Sequence, residues 1–218
     1  MTPNKALHLT AAPLRSAPPR QVSYIVRGSR DRKVMLPPWE HSDLNISPKE
    51  FEVLVKEWIE KSGKELKSIE VKHDEKIKAH DSTYQIDVIA TFEALGAEFI
   101  VLIECKKHKD PIPRTYVQLL HDNIRSIGAN KDMLFATTGF QSGAIKYAKE
   151  HGIALVRISE GKASYETRSY GDTPEPPSWI DIPKYMGWSV KERQNGNVGI
   201  TAIDFREKRF LDVVRAEP

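Results

Sequence analysis

With 218 residues, 39% of them apolar, the chain suits one medium domain with tails and leaves little room for two. Its 33 Lys and Arg exceed its 30 Asp and Glu by only three, so overall charge does not announce a nucleic-acid binder, and any basic surface must come from local clustering. A single cysteine excludes an internal disulfide and a zinc site built on cysteine pairs, which fits a cytoplasmic protein, and no run of about 18 apolar residues is available to span a membrane.

Residues 1–45 carry few element signals. Pro3, Pro13, Pro18 and Pro19 interrupt the apolar patch "ALHLTAAPL", which leaves no secretory h-region. The segment reads as a disordered tail. Its basic stretch "RGSRDRK" (27–33) is either solvated or a phosphate-contacting arm. Order is expected from residue 46. Ser47 can cap a helix, Pro48 suits its first position and Glu50 completes a capping box. Phe51, Leu54, Val55, Trp58 and Ile59 then make one apolar face, and Gly63 is a natural stop.

Residues 66–79 alternate weakly and are polar enough for an edge strand. Two apolar strands follow, 83–92 and 98–106, around a turn at Leu95 and Gly96. "RTYVQLLHDNIRSIG" reads as a helix burying Val117, Leu120, Ile124 and Ile127. The runs 133–138 and 153–158 read as buried strands, joined through a short helix in "SGAIKYAKEHG". The early strands should be antiparallel and the last two parallel. The expected fold class is α/β, a mixed sheet flanked by helices. Residues 46–160 form the domain. A Pro-rich linker and a small extension follow from 161 to 218, with a strand in "VGITAIDF" and too little mass for a core of its own.

Asp87 interrupts the first apolar strand, and Glu104 and Lys106 interrupt the second. If Leu95 and Gly96 form a two-residue turn, Ala94 faces Ala97. Counting back along both strands, Asp87 then faces Glu104 and Gln85 faces Lys106. A three-residue loop would send Asp87 to the other face. Two carboxylates about 4 Å apart repel by on the order of 4 kcal/mol at an effective dielectric of 20. One lysine offsets part of that, and a hard divalent cation with oxygen ligands would offset the rest. An Asp, Glu and Lys set around such a cation suits phosphodiester hydrolysis. The plainer reading is a cross-strand salt-bridge cluster on a solvated face. "FIVLIEC" argues against it, because it reads as a strand covered on both sides.

Asp87 followed by "ECK" at 104–106 resembles the PD-(D/E)xK nuclease signature. With Phe51-Glu52, Ile86-Asp87 and Thr137-Thr138-Gly139-Phe140 in order, the chain resembles the Mrr-like restriction endonuclease catalytic domain. The resemblance implies a restriction-endonuclease-like αβββαβ core and a Mg²⁺-dependent DNA endonuclease, with Mn²⁺ as a substitute, acting in defence against foreign DNA. It implies metal ligation by Asp87, Glu104 and the backbone carbonyl of Cys105. Lys106 becomes the catalytic lysine, joined by Glu52 and Gln118. Lys107, Lys109 and Arg114 form a basic cluster beside this site, suited to the DNA backbone. Cutting both strands requires two centres and implies a homodimer. No phosphate-cradling GxxxxGK loop is present, so no nucleotide cofactor is expected. Two rival readings are a repair or junction-resolving nuclease of the same fold, and a module that binds nucleic acid without cutting it.

Overall fold

A computed structural model describes residues 23–26, 44–161 and 182–204. The basic stretch at 27–33 lies outside the described residues. In chain order the elements are β1 (Ser23–Val26), α1 (Pro48–Ser62), β2 (Lys67–Lys78), β3 (Thr83–Ala94), β4 (Ala97–Lys106), α2 (Arg114–Ile127), β5 (Lys131–Ala136), α3 (Ser142–Glu150), β6 (Ala154–Glu160), β7 (Tyr185–Glu192) and β8 (Val198–Asp204). They build one eight-stranded sheet in the order β1-β8-β7-β6-β5-β4-β3-β2. The pairs β4–β5 and β5–β6 run parallel and all others antiparallel. The expected α/β class holds, and the segment from α1 to β5 is the restriction-endonuclease-like αβββαβ core. Among the described residues no helix is long and apolar enough to cross a membrane.

Helix α1 starts as its sequence dictates. The Ser47 hydroxyl accepts from the Glu50 N–H at 3.2 Å, and the Glu50 carboxylate accepts from the Ser47 N–H at 2.6 Å. Its end has a different cause from the one expected. Gly63 has an ordinary φ of −90° rather than a left-handed one. A Cβ there would stand 2.1 Å from Ile69 Cδ1, so glycine admits the close approach of β2. At α2 a left-handed stop does occur, at Gly128 (φ 77°).

Each face of the sheet carries its own core. Phe51, Val55, Trp58 and Ile59 of α1 cover Val88, Val101, Ile103, Phe135 and Val156. Trp58 meets Phe135 edge to face at 5.2 Å. On the opposite face Val117, Leu120 and Ile124 of α2 and Ala144, Ile145 and Ala148 of α3 cover Leu102, Leu134 and Leu155. Trp188, Val190 and Ile200 of β7 and β8 enter this second core. The C-terminal strands thus enlarge the domain's sheet, with β8 at the strand expected from "VGITAIDF". Strand β1 adds a further edge strand, inside the stretch expected to be a disordered tail.

The hairpin register is the expected one. Leu95 and Gly96 both have positive φ, 53° and 77°, and Ala94 pairs with Ala97. The β3–β4 ladder ends at Val88↔Ile103, while β2–β3 pairing runs on to Lys78↔Thr83. Val88 belongs to the α1 core, yet Ile86, two residues away, belongs to the α2–α3 core. Strict alternation forbids this. The β2–β3 ribbon therefore turns over at Asp74 (φ 60°) and Asp87, and its far half leaves β4.

Candidate active site at the end of β4

The site sits where β3 leaves β4. Beyond Val88↔Ile103 no backbone partner remains for the Cys105 N–H, and Asp87 Oδ2 accepts it at 2.8 Å. In a strand the N–H and C=O of one residue project to the same side. The Cys105 carbonyl therefore faces the same gap. Glu104 and Lys106 share the face of Leu102, and Glu104 Oε1 pairs with Lys106 Nζ. Asp87 Oδ1 and Glu104 Oε2 have no described hydrogen-bond partner. The turnover of β3 also moves Gln85 away from Lys106. Gln85 faces Lys76 of β2 and donates to Asp74 Oδ1 at 2.5 Å, contrary to the expected cross-strand pair.

Carboxylate charge is in excess here. Burial pushes the Glu104 carboxyl above its ordinary range, the negative charges of Asp87 and Glu52 push it further, and Lys106 offsets only part of this. For Lys106, burial alone would lower the pKa. The Glu104 carboxylate and its hydrogen bond outweigh that and hold the ammonium above the ordinary lysine value. Burial, and then Asp87, drive the Cys105 thiol well above its usual pKa, which removes it as a nucleophile at neutral pH.

Glu52 stands on α1, close enough for its charge to act on Glu104. His73 of β2 holds it there, with Nε2 2.8 Å from Glu52 Oε2. His73 escaped the sequence reading, although weak alternation in β2 places it on the face of Val71, toward α1. Gln118 is half-buried and has no described hydrogen bond to Lys106. Tyr116, two positions earlier and about 200° around the helix, takes that place. Its ring centroid lies 5.6 Å from Lys106 Nζ, and His108 packs edge to face on it at 5.2 Å.

The basic loop after β4 is tied to the end of β5. The Thr137 hydroxyl donates to the His108 carbonyl at 3.2 Å and the Thr138 hydroxyl to the Asp110 carbonyl at 3.0 Å. Ile112 bridges to Phe140. This explains the physical role of "TTGF". Lys109 and Arg114 are exposed and Lys107 is half-buried, all on or next to this loop. The Arg114 guanidinium lies 4.9 Å from the Tyr147 ring centroid. Among the described residues no three His, Cys, Asp or Glu side chains form a complete metal cage.

The Mrr catalytic-domain family model, described as restriction endonuclease, matches residues 44–160. No curated protein matches the chain. Among solved structures, a protein of unknown function, AF1548, is 24% identical at a TM-score of 0.42, over 50% of this chain and 57% of its own. Protein VC1899 from Vibrio cholerae is 17% identical at a TM-score of 0.39, over 49% of this chain and 29% of its own. Both matches span less than two thirds of the neighbour's length.

Proposed function

We propose a function from one premise: the chain belongs to the Mrr-type restriction endonuclease family, whose catalytic-domain model covers residues 44–160. Membership makes it a nuclease of the restriction-endonuclease-like superfamily. The finer reading is a divalent-metal-dependent DNA endonuclease that serves in defence against foreign DNA, cutting as a homodimer. The observation that carries it is the gap at the end of β4, where Asp87 accepts the Cys105 N–H and the neighbouring Glu104 pairs with the Lys106 ammonium.

The donor set suits a hard cation. Magnesium is usually held by one or two carboxylates and keeps several waters, so it needs no full protein cage. Asp87, Glu104 and the Cys105 carbonyl offer oxygen donors of that kind, and Mn²⁺ accepts the same set. The excess carboxylate charge around Glu104 supports the same conclusion. A bound cation would supply charge neutralisation at phosphorus and a more acidic water.

Each residue then has a task. Asp87 is fixed by the Cys105 N–H, so its free oxygen is aimed without loss of side-chain freedom on binding. Lys106 stays protonated at neutral pH and can hydrogen-bond a non-bridging phosphate oxygen, stabilising charge as it grows. Glu52, braced by His73, adds negative potential near Glu104. Lys107, Lys109 and Arg114 track the DNA backbone next to the scissile bond.

Plasmid cleavage with Mg²⁺ tests this, comparing wild type with Asp87→Asn and Lys106→Ala, with linear and branched duplexes offered alongside. Wild type should cut and both variants should fail while still binding DNA. Equal cutting by all three would refute the assignment.

A further inference from the structure

We infer that Tyr116 is a positioning residue for Lys106, holding the ammonium against its ring face so that it points at Glu104 and the scissile phosphate. This rests on the nuclease reading above. Lys106 ends β4 and has a flexible four-carbon stem. Its ion pair with Glu104 constrains it from one side only. The Tyr116 ring supplies the second constraint, 5.6 Å from Nζ to centroid, inside the range of cation–π attraction.

The ring is itself held. Tyr116 lies in the first turn of α2, where its N–H donates to the Pro113 carbonyl at 3.3 Å. His108 packs against it edge to face at 5.2 Å. The Thr137 hydroxyl binds the carbonyl of that same His108. The loop, the helix start and the ring thus form one brace beside the lysine. The contact uses the ring face, and the phenol oxygen has no described hydrogen bond. A phenylalanine should therefore serve nearly as well, and an aliphatic residue should not.

The test uses the full chain. With Mg²⁺ and plasmid DNA, Tyr116→Leu should lower kcat about five- to tenfold with KM within about twofold, as expected for loss of a transition-state contact. Tyr116→Phe should recover most of it. A second readout does not need cleavage. Lysines are reductively methylated with ¹³C, and the Lys106 signal is assigned by its disappearance in Lys106→Ala. Ring shielding should shift that signal upfield in wild type and Tyr116→Phe, and the shift should vanish in Tyr116→Leu. An unmoved lysine signal in Tyr116→Leu overturns the inference, as does a Phe variant as impaired as the Leu one. If wild type cuts no better than Lys106→Ala, the nuclease reading fails and the catalytic consequence with it. The NMR result then still decides whether Tyr116 holds the lysine.

Discussion

Asp87 Oδ2 stands in for a missing strand partner, accepting the Cys105 N–H at 2.8 Å where β3 turns away from β4. One carboxylate therefore has two separable roles, closing the sheet edge and presenting a charge. Asp87→Asn keeps an oxygen acceptor of the same shape and should leave thermal stability near wild type. Cleavage should fall by about 100-fold or more, as when one charge-stabilising group is removed. Asp87→Ala should lose both roles, with a cost of about 1–3 kcal/mol for the unsatisfied N–H. Urea unfolding of the two variants separates them. Equal destabilisation would mean that the carboxylate's charge, rather than its acceptor, holds the edge.

The proposed function predicts metal dependence at the crowded carboxylates. Chelation should abolish cleavage, and Mg²⁺ or Mn²⁺ should restore it. A cation that binds only the folded protein stabilises it by about 2.7 kcal/mol at a hundredfold excess over Kd. Mn²⁺ titration should therefore raise the wild-type Tm. The rise should be absent in Asp87→Asn and in Glu104→Gln. A rise of the same size in both would place the ion elsewhere.

Much of this was legible in the sequence for a specific reason. The hairpin has a two-residue turn, and a period of two carries its register without error from Ala94↔Ala97 to Val88↔Ile103. That alone places Asp87 beside the ECK strand. The reasoning stops where the ladder stops. Gln85 lies past the turnover at Asp74 and Asp87, and nothing in the sequence marks the positive φ of Asp74 or the change of face beside Asp87. His73 and Tyr116 were hidden for another reason. Their importance depends on which helix covers which face, and that is a tertiary fact absent from either residue's neighbours in the chain. The same holds for β7 and β8. The pattern in "VGITAIDF" predicts a strand at β8 but none is predicted at β7, and only packing shows Trp188 and Ile200 joining the α2–α3 core.

The turn itself can be improved. Leu95 occupies a left-handed position (φ 53°) and is fully exposed, so it is strained and contributes no burial. Asparagine is favoured at this place in a two-residue hairpin. Leu95→Asn should relieve on the order of 1 kcal/mol of backbone strain, raising Tm by about 2–4 °C for a chain of this size. Cleavage should be unchanged, since the tip lies at the far end of the hairpin from the site. A fall in Tm would show that the turn is not of the type described.

Asp132 supplies a pH dependence remote from the active site. It is the second residue of β5, at the opposite end from Thr137, and is 3% exposed. Its Oδ2 lies 3.6 Å from His121 Nδ1, and neither atom has a hydrogen-bond partner. Burial pushes the carboxyl above its ordinary value of 3.8, and the nearby His121 and Lys131 only partly counter this. A carboxyl with a raised folded-state pKa binds its proton more tightly folded than unfolded. Stability should therefore fall as pH rises from the ordinary carboxylate range through the folded value, with the penalty complete above it. Asp132→Asn carries no charge to bury. Its urea midpoint should exceed that of wild type at pH 7, and the gap should narrow as the pH is lowered toward 4. A gap that stays constant with pH, or an Asn variant weaker at pH 7, would show that the His121 contact outweighs the cost of burying the charge.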